Sequence, residues 1–269
     1  MQGTDLASWA MKSLAAAALL AGLALPLPAR AETLAPACDA PFDLLRLAQP
    51  LSRVAQKLAT REQITIVAIG SSSTSGAGAS SPAGSYPSRL AVELKQRFPD
   101  QPIVVINSGV GGEEIDDMLK RFDTAVVSAK PDLVLWQLGT NSVIRDHKFS
   151  AHDGSIREGL NKIRAVGADI VLIDPQFAPK VIAKPQAEQM VELIATTAKL
   201  EDVDLFRRFD VMKRWREVDN MAFETFVSPD GLHLNDWSYA CIAKGLGIAI
   251  AEAAQRPVMS ATAMPHLVP

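Results

Sequence analysis

Residues 64–74, with the sequence ITIVAIGSSST, join an almost continuous apolar run to a turn of small polar residues. A run that is apolar at consecutive positions and rich in β-branched residues predicts a strand buried on both faces, as in a parallel sheet. Further runs of this kind lie at residues 103–106, 133–138, 170–173 and, more weakly, 203–206. The chain therefore predicts five parallel strands.

Helical patterns separate these runs. They cover residues 86–98, 113–128, 153–165 and 187–199, and a final amphipathic segment covers residues 236–254. Regular alternation of strands and helices predicts an α/β domain with three α/β/α layers, a five-stranded parallel sheet and right-handed crossovers. In such open sheets ligands bind at the carboxyl ends of the strands, so we expect the functional residues there.

The first 31 residues are typical of an export signal. Lys12 precedes an apolar run at residues 14–25, and Ala29-Arg30-Ala31 has the small-x-small pattern of a cleavage site. The apolar run is shorter than the roughly 20 residues that span a bilayer. We therefore expect cleavage after Ala31, no stable membrane anchor, and a periplasmic or secreted protein.

The remaining chain predicts one domain with short appendages. Residues 32–61 form an extension with a packing helix interrupted near Pro50, residues 62–256 form the main domain, and residues 257–269 form a frayed tail. The formal net charge of −3 over 269 residues argues against a nucleic-acid partner. Oligomeric state is left open by the sequence.

Cys38 and Cys241 are the two cysteines of the chain. In an oxidising compartment an even pair is a candidate disulfide, which would tie the N-terminal segment to the last helix. The alternative is two unpaired thiols, buried or idle.

Two patterns suggest nucleophilic chemistry. Asp230 and His233, three residues apart, can orient one another on a single turn, and such a pair activates a hydroxyl brought against it. Four serines follow the first strand: Ser71, Ser72, Ser73 and Ser75. Spacing alone does not choose among them, and the G-x-S-x-G elbow is not matched because Thr74 replaces its last glycine.

Four motifs together resemble the SGNH, or GDSL, hydrolases. Residues 70–74 (GSSST) resemble the G-D-S-x-T block, and residues 107–112 (NSGVGG) resemble the second block. Residues 139–141 (GTN) are similar to the G-x-N block, and residues 230–233 (DGLH) to the D-x-x-H block. They occur in the family's order over essentially the whole mature chain. The resemblance implies a flavodoxin-like SGNH hydrolase fold and a serine esterase that needs no cofactor.

Carried over residue by residue, the resemblance implies Ser72 as nucleophile, His233 as base and Asp230 as its orienter. It also implies an oxyanion hole made by the backbone N–H groups of Ser72 and Gly112 and the side-chain amide of Asn141. We expect Gly112 to open the helix at residues 113–128, whose N-terminal amides would favour developing negative charge.

Two positions depart from the family pattern. Ser71 stands where the family has Asp before the nucleophile, and Ser142 stands where it has Asp after the Asn of the third block. Neither position performs the covalent step. Gln176 and Phe177, after the fourth strand, would face the same crevice as possible substrate contacts, with a purely structural loop role as the alternative.

Other features receive plainer interpretations. Residues 77–85 are typical of a flexible surface loop. His147, His152 and Asp153 lie in a polar loop without a well-spaced further partner, so no metal site is predicted. No long insertion resembles a lipase lid, which favours a short acyl group such as acetyl on a saccharide or other polar alcohol. The alternatives are a lysophospholipase or thioesterase acting on longer chains, an acyltransferase, and a catalytically silent envelope polysaccharide-binding protein.

Overall fold

The computed structural model describes residues 37–38, 40–147 and 152–256. The predicted export signal at residues 1–31 and the predicted frayed tail at residues 257–269 lie outside these ranges, and the domain boundaries stay predictions. The strands are β1 (Ile64–Gly70), β2 (Ile103–Gly109), β3 (Leu133–Gln137), β4 (Asp169–Ile173) and β5 (Asp204–Phe206). All neighbours are parallel, in the order β2-β1-β3-β4-β5. The predicted five-stranded parallel α/β fold is confirmed.

The strand order decides which runs are buried. Strands β1 and β3 lie inside the sheet, and every residue of β3 is buried. Strand β2 is an edge strand, and Val104 is 42% exposed. The expectation that every apolar run is covered on both faces is therefore wrong for β2. An apolar composition does not distinguish an edge strand from a central one.

Helices cover both faces of the sheet. They are α1 (Phe42–Leu45), α2 (Ser52–Thr60), α3 (Ser72–Ser75), α4 (Tyr86–Arg97), α5 (Ile115–Lys120), α6 (Phe122–Ala125), α7 (Thr140–Ile144), α8 (His152–Ala165), α9 (Pro179–Ile182), α10 (Ala187–Leu200), α11 (Arg208–Glu217), α12 (Phe223–Phe226) and α13 (Asp236–Gln255). Helices α2, α4 and α13 pack together, and α8 packs against α5 and α10. Connections between parallel strands are right-handed as a rule, and because the chain reverses its direction across the sheet after β2, these two groups belong on opposite faces. Within the described ranges, no helix combines the length and apolar character needed to cross a membrane.

The segment at residues 113–128 is not the single helix predicted. It forms α5, α6 and a 3-10 turn at Val127–Ala129. Arg121 stands between the two helices, where its guanidinium pairs with Glu113 at 2.6 Å and donates to the Ser108 carbonyl at 2.8 Å. These inward contacts fasten the segment to the end of β2 and interrupt the regular helix.

Three aspartates mark the amino edge of the sheet, and we call them the aspartate cluster: Asp132 and Asp204, which are buried, and Asp169, which is half-buried. Asp132 precedes β3, and the other two begin β4 and β5. Asp132 accepts from the backbone N–H of Thr65 at 2.9 Å and from Arg53 Nε at 2.9 Å. Asp132 therefore joins the start of β3 both to β1 and to helix α2 of the N-terminal segment.

The other two members hold the N-terminal segment by its backbone. Asp169 accepts from the N–H groups of Arg53 at 3.2 Å and Val54 at 2.9 Å, at the start of α2. Asp204 accepts from the N–H of Gln49 at 2.8 Å. Two helices, α1 and α2, stand where one interrupted helix was predicted, and the connection around residue 50 is fixed by these carboxylates.

A disulfide joins Cys38 to Cys241 in α13, with Cα atoms 5.1 Å apart and 203 positions between them in sequence. It closes nearly the whole domain into one loop and ties the N-terminal segment to the last helix.

Candidate active site

Ser72, His233 and Asp230 meet at the carboxyl edge of the sheet, although 161 positions separate the serine from the histidine. The Nε2 atom of His233 lies 2.8 Å from Ser72 Oγ, and Nδ1 lies 2.5 Å from Asp230 Oδ2. Because a carboxylate can only accept, Nδ1 donates, and the neutral ring presents Nε2 as an acceptor to the serine hydroxyl. The three side chains form one continuous chain of hydrogen bonds.

Asp230 is held as a carboxylate by converging donors. Besides the ring of His233, it accepts from Ser228 Oγ at 2.8 Å and from the backbone N–H groups of Leu232 and His233, both at 2.9 Å. Partial burial favours the neutral acid, but these hydrogen bonds outweigh it and hold the pKa of Asp230 well below its usual range. The carboxylate therefore stays charged at neutral pH and accepts from Nδ1 of His233.

The loop that carries the histidine is closed on itself. The N–H of Ser228 donates to the His233 carbonyl at 2.8 Å, and Val227 and Leu234 form an antiparallel bridge. The backbone N–H of Lys180 in α9 donates to the Gly231 carbonyl at 2.9 Å. These bonds fix the backbone, so the ring of His233 starts from a defined position.

Residues 77–85 differ from the flexible surface loop predicted from composition. The N–H of Ser80 donates to Asp236 at the start of α13, at 2.8 Å. Gly78 packs against the histidine loop so closely that a Cβ there would lie 2.9 Å from His233 Cβ and 2.3 Å from the Leu234 carbonyl oxygen. Only glycine allows this approach, and the loop supports the histidine from one side.

Gly112 lies in the loop beside the serine turn, but it does not open a helix as predicted. Helix α5 begins at Ile115 with Glu114 as its N-cap residue, and the Glu114 side chain takes part in a capping box. The preceding turn approaches Ser72 at Gly111, where a Cβ would lie 3.9 Å from Ser72 Cβ. The helix-dipole argument for Gly112 is therefore lost, and an oxyanion role for its N–H stays a prediction.

Asn141 lies in α7, directly after the carboxyl end of β3. Its Nδ2 atom donates to the Glu113 carbonyl at 2.8 Å, which fixes the amide beside the loop that contains Gly112. A side-chain amide has two N–H donors, and this bond uses one of them. The N–H of Ser72 is the first in α3, and the first N–H groups of a helix have no acceptor within it. Both groups are suited to an anionic ligand, and their role stays a prediction.

An ionic cluster flanks the oxyanion side of the site. Glu114 accepts from Ser142 Oγ at 3.0 Å and from Arg145 Nη1 at 2.6 Å, and His147 Nδ1 lies 2.9 Å away. Burial opposes ionisation of Glu114, but these contacts outweigh it and lower its pKa. Arg145 also donates to the Gly112 carbonyl at 2.8 Å. A carboxylate from a neighbouring loop thus lies against Ser142, where the family resemblance leads one to expect Asp.

Gln176 and Phe177 are buried, so the structure contradicts their predicted role as substrate contacts and favours the structural role that the sequence left open. Their exposed fractions are 1% and 6%. Gln176 Oε1 accepts from Thr140 Oγ1 and Arg208 Nη2, both at 3.0 Å, and its Nε2 donates to the Leu232 carbonyl at 3.2 Å. Phe177 packs among phenylalanines of α11 and α12. Gln176 therefore supports the histidine loop from below.

Arg208 completes a buried polar layer beneath the site. Its guanidinium, in a side chain 1% exposed, donates to the Asp174 carbonyl at 2.6 Å and 3.0 Å. The Asp174 carboxylate accepts from the N–H of Phe209 at 2.8 Å. Burial raises the pKa of Asp174 to about 7 and lowers that of Arg208. Sequence reasoning missed Arg208, because a run as charged as residues 207–217 is typical of a solvated helix.

The residues weighed for a metal site have other neighbours. His147 lies against Glu114, and Asp153 accepts from Arg157 Nε at 2.9 Å. Burial lowers the pKa of His152. Within the part of the chain that the structure describes, no group of three or more His, Cys, Asp or Glu residues is placed to hold a metal ion.

The sheet order and the hydrogen-bonded serine, histidine and aspartate at its carboxyl edge define an α/β protein of the SGNH hydrolase type. The non-GDSL lipase-like family matches residues 37–256, and the chain belongs to this family. The match includes the sheet and all the residues discussed above, and the predicted family resemblance is confirmed. No curated protein matches the chain.

Solved structures of esterases are similar in fold. A two-domain esterase (CEX) active on acetylated mannans, co-crystallized with mannopentaose, has a TM-score of 0.67 at 20% identity, over 80% of this chain and 57% of that one. Axe2, an acetylxylan esterase from Geobacillus stearothermophilus, has a TM-score of 0.60 at 18% identity, over 70% and 94%. A lipase/acylhydrolase from Enterococcus faecalis has 0.56 at 24%, over 70% and 96%. The chain spans less than two thirds of the two-domain esterase. These likenesses confirm the predicted SGNH-type fold.

Proposed function

We propose that the protein is a carboxylic ester hydrolase in which Ser72 is the nucleophile, His233 the general base and Asp230 its orienter. The observation that carries the proposal is the hydrogen-bonded chain from Ser72 Oγ through His233 to Asp230. Side chains from two distant segments need not share one line of hydrogen bonds for stability alone. That line is the geometry that activates a serine hydroxyl.

In the first half of the reaction, Ser72 Oγ attacks the ester carbonyl carbon while its proton passes to His233 Nε2. The tetrahedral intermediate then collapses, the bond to the alcohol oxygen breaks, and that oxygen takes the proton from His233. An acyl group remains on Ser72. Asp230 keeps its negative charge throughout and stabilises the imidazolium between the two proton transfers.

In the second half, water gives a proton to His233 Nε2 and its oxygen attacks the acyl carbon. Collapse of this intermediate returns the proton to Ser72 Oγ and releases the carboxylic acid. The negative charge on the carbonyl oxygen is taken by the N–H groups of Ser72 and Gly112 and the amide of Asn141. Loss of one such donor costs about 2.7 to 4 kcal/mol of transition-state stabilisation.

We assign the enzyme to short acyl groups, such as acetyl, on a saccharide or another polar alcohol, and we place it outside the cytoplasm after cleavage of residues 1–31. The similar structures that act on acetylated mannans and acetylxylan support the substrate class. The Cys38–Cys241 disulfide supports an oxidising compartment. N-terminal sequencing of protein recovered from the cell envelope or medium tests the export assignment, and an intact residue 1 there contradicts it.

Ser72→Ala tests the chemistry directly. We expect ester turnover to vanish while the circular dichroism spectrum and thermal unfolding stay as in the parent. A fluorophosphonate probe should label the parent at Ser72 and leave the variant unlabelled. Ser128→Ala, at an exposed serine of the 3-10 turn Val127–Ala129, is the control and should keep turnover within about threefold. Undiminished turnover in Ser72→Ala, or a folded parent that the probe ignores, rejects the assignment.

A chain-length series of nitrophenyl esters tests the substrate class. A rate maximum at the acetyl ester supports the proposal, and a maximum at eight carbons or more replaces it with a long-chain acylhydrolase. Product analysis with a competing sugar alcohol distinguishes hydrolysis from acyl transfer, because transfer yields an acylated sugar in place of the free acid.

A further inference from the structure

The turn that carries Ser72 is attached to the centre of the sheet by one buried side chain that no motif includes. We propose that Gln137, the last residue of β3, is a positioning residue for Ser72: its amide oxygen fixes the turn on both sides of the nucleophile. This inference rests on the proposed function, because it assigns a role in the chemistry of Ser72.

Three donors from the serine turn converge on a single oxygen, Gln137 Oε1. The backbone N–H of Ser71 donates at 3.0 Å, Ser71 Oγ at 3.1 Å and Thr74 Oγ1 at 3.2 Å. Ser71 directly precedes the nucleophile, and Thr74 follows it by two positions. The two contacts therefore hold the turn on either side of Ser72.

The orientation of the glutamine amide follows from the chemistry of its partners. A backbone N–H can only donate, so the atom facing Ser71 N has to be the amide oxygen and not the NH₂ group. With the main-chain donor placed, the hydroxyls of Ser71 and Thr74 also direct their protons to that oxygen. Any shift of the turn breaks several of these bonds together.

Burial makes these bonds difficult to replace. Gln137 is 1% exposed, Ser71 2% and Thr74 0%, so water cannot substitute for the amide oxygen. Thr74 Oγ1 also lies 3.3 Å from the hydroxyl of Tyr86 in α4. The close approach depends on Gly70, where a Cβ would lie 2.1 Å from Thr74 Oγ1 and 2.9 Å from Gln137 Oε1.

Gln137 lies on a strand at the centre of the sheet. Strand β3 lies between β1 and β4, and Gln137 is in register with Ile173 of β4. The position of Ser72 is thus set by the central strand of the sheet as well as by the loop in which Ser72 lies. Ser71, which replaces the family's Asp, supplies two of the three donors, so this chain fixes the turn with a neutral acceptor.

Gln137→Met tests the proposal because it keeps the side-chain length and removes the acceptor. A displacement of about 1 Å at a reacting atom costs up to about 100-fold in rate, so we expect kcat to fall about 10- to 100-fold. KM should change by less than about twofold, and inactivation by a fluorophosphonate should slow by the same factor as kcat. A purely structural role would lower the midpoint of thermal unfolding and leave both rates unchanged.

Gln101→Met is the matched control. Gln101 is also buried, at 6% exposure, but it lies before β2 at the opposite edge of the sheet, where its amide donates to the Glu62 carbonyl. It should lose thermal stability to a similar extent and keep kcat within about twofold. Equal kcat losses in Gln101→Met and Gln137→Met would assign the effect to general destabilisation and overturn the proposal.

A double-mutant cycle tests whether Gln137 acts on kcat through its hydrogen bonds to Ser71 and Thr74. In a Ser71→Ala/Thr74→Val background, Gln137→Met should reduce kcat by less than about threefold further, because two of the donors are already gone. An equal fold-loss in both backgrounds contradicts the proposal, as does kcat within twofold of the parent in folded Gln137→Met. If Gln137→Met does not fold, the Ser71→Ala/Thr74→Val variant tests the proposal instead. An unchanged kcat in that variant overturns the proposal. Failure of the proposed function is seen separately, in Ser72→Ala.

Discussion

The two edges of the sheet use buried acceptors in different ways. At the amino edge the aspartate cluster takes backbone N–H groups and one arginine of the N-terminal segment. At the carboxyl edge the acceptors beneath Ser72 and His233 are the amide oxygens of Gln137 and Gln176. The Asp174 carboxyl also lies at this edge, close to the guanidinium of Arg208. Burial raises the pKa of this carboxyl to about 7. Carboxylates thus hold the N-terminal segment at the amino edge, whereas at the carboxyl edge the neutral amides of Gln137 and Gln176 hold the serine turn and the histidine loop.

The difference has an electrostatic consequence. A second carboxylate buried beside Asp230 would add a further negative charge next to the reacting groups of the proposed mechanism. An amide fixes a donor without that effect. Variants at the two edges should therefore separate into those that change rate and those that change stability.

His233→Ala tests the carboxyl edge with the largest expected effect. Without a base, proton removal from Ser72 has no acceptor, and kcat/KM for a nitrophenyl ester should fall about 10⁶-fold. The midpoint of thermal unfolding should stay within a few degrees of the parent. Turnover within tenfold of the parent would mean that another group takes the proton.

The Cys38–Cys241 disulfide should contribute to stability alone. A cross-link over 203 positions restricts the unfolded chain, so Cys38→Ser should lower the free energy of unfolding by about 3 to 4 kcal/mol. Because Cys241 lies in α13, away from the reacting atoms, kcat should not change at 25 °C. Urea unfolding of parent and variant measures the first quantity, and a loss of kcat in folded Cys38→Ser would contradict the separation.

Asp132→Ala breaks the amino edge. The backbone N–H of Thr65 and the guanidinium of Arg53 lose their acceptor, and a buried N–H without a partner is costly. We expect the free energy of unfolding to fall by about 2 to 3 kcal/mol with kcat unchanged. Asp123→Ala, at an exposed position of α6, is the control and should stay close to the parent. A parallel fall in kcat would show that the two edges are coupled.

Asp204→Asn has the smallest expected effect on the free energy of unfolding, and that effect depends on pH. Burial raises the pKa of Asp204 from 3.8 to about 6, so between these values the folded state binds more protons than the unfolded state. Stability from this group is therefore present below about pH 4 and lost as pH rises to about 6. Asp204→Asn should match the parent near pH 4 and exceed it by about 1 to 2 kcal/mol at pH 7.5. Urea unfolding at both pH values tests this, and a variant less stable than the parent at pH 7.5 would reverse the sign.

Much of this arrangement could be predicted from the chain. Strand β3 is apolar at consecutive positions because both its faces are covered, and this pattern shows in the sequence. The Asp230–His233 pair is recognisable because its partners are close in sequence and one turn brings them together. The choice of Ser72 among four serines came from the family resemblance, because hydroxyls in one small-residue turn are equivalent by spacing.

What could not be predicted depends on contacts between distant segments. Gln137 is a polar residue at the end of an apolar strand, which is a visible signal, but its partners are 63 and 66 positions away. Gln176 follows a strand, which in sequence is compatible with a substrate contact or a structural loop role, and only its contacts with Thr140 and Arg208 distinguish the two. The break at Arg121 depends on a carbonyl at the end of another strand. No local pattern records such partners.

The 161 positions between Ser72 and His233 also set an order in time. A hydrogen bond between residues so distant in sequence requires a large loop to close, so it forms later in folding than the local contacts of each segment. Until the histidine loop reaches the sheet, the hydroxyl of Ser72 has no imidazole beside it.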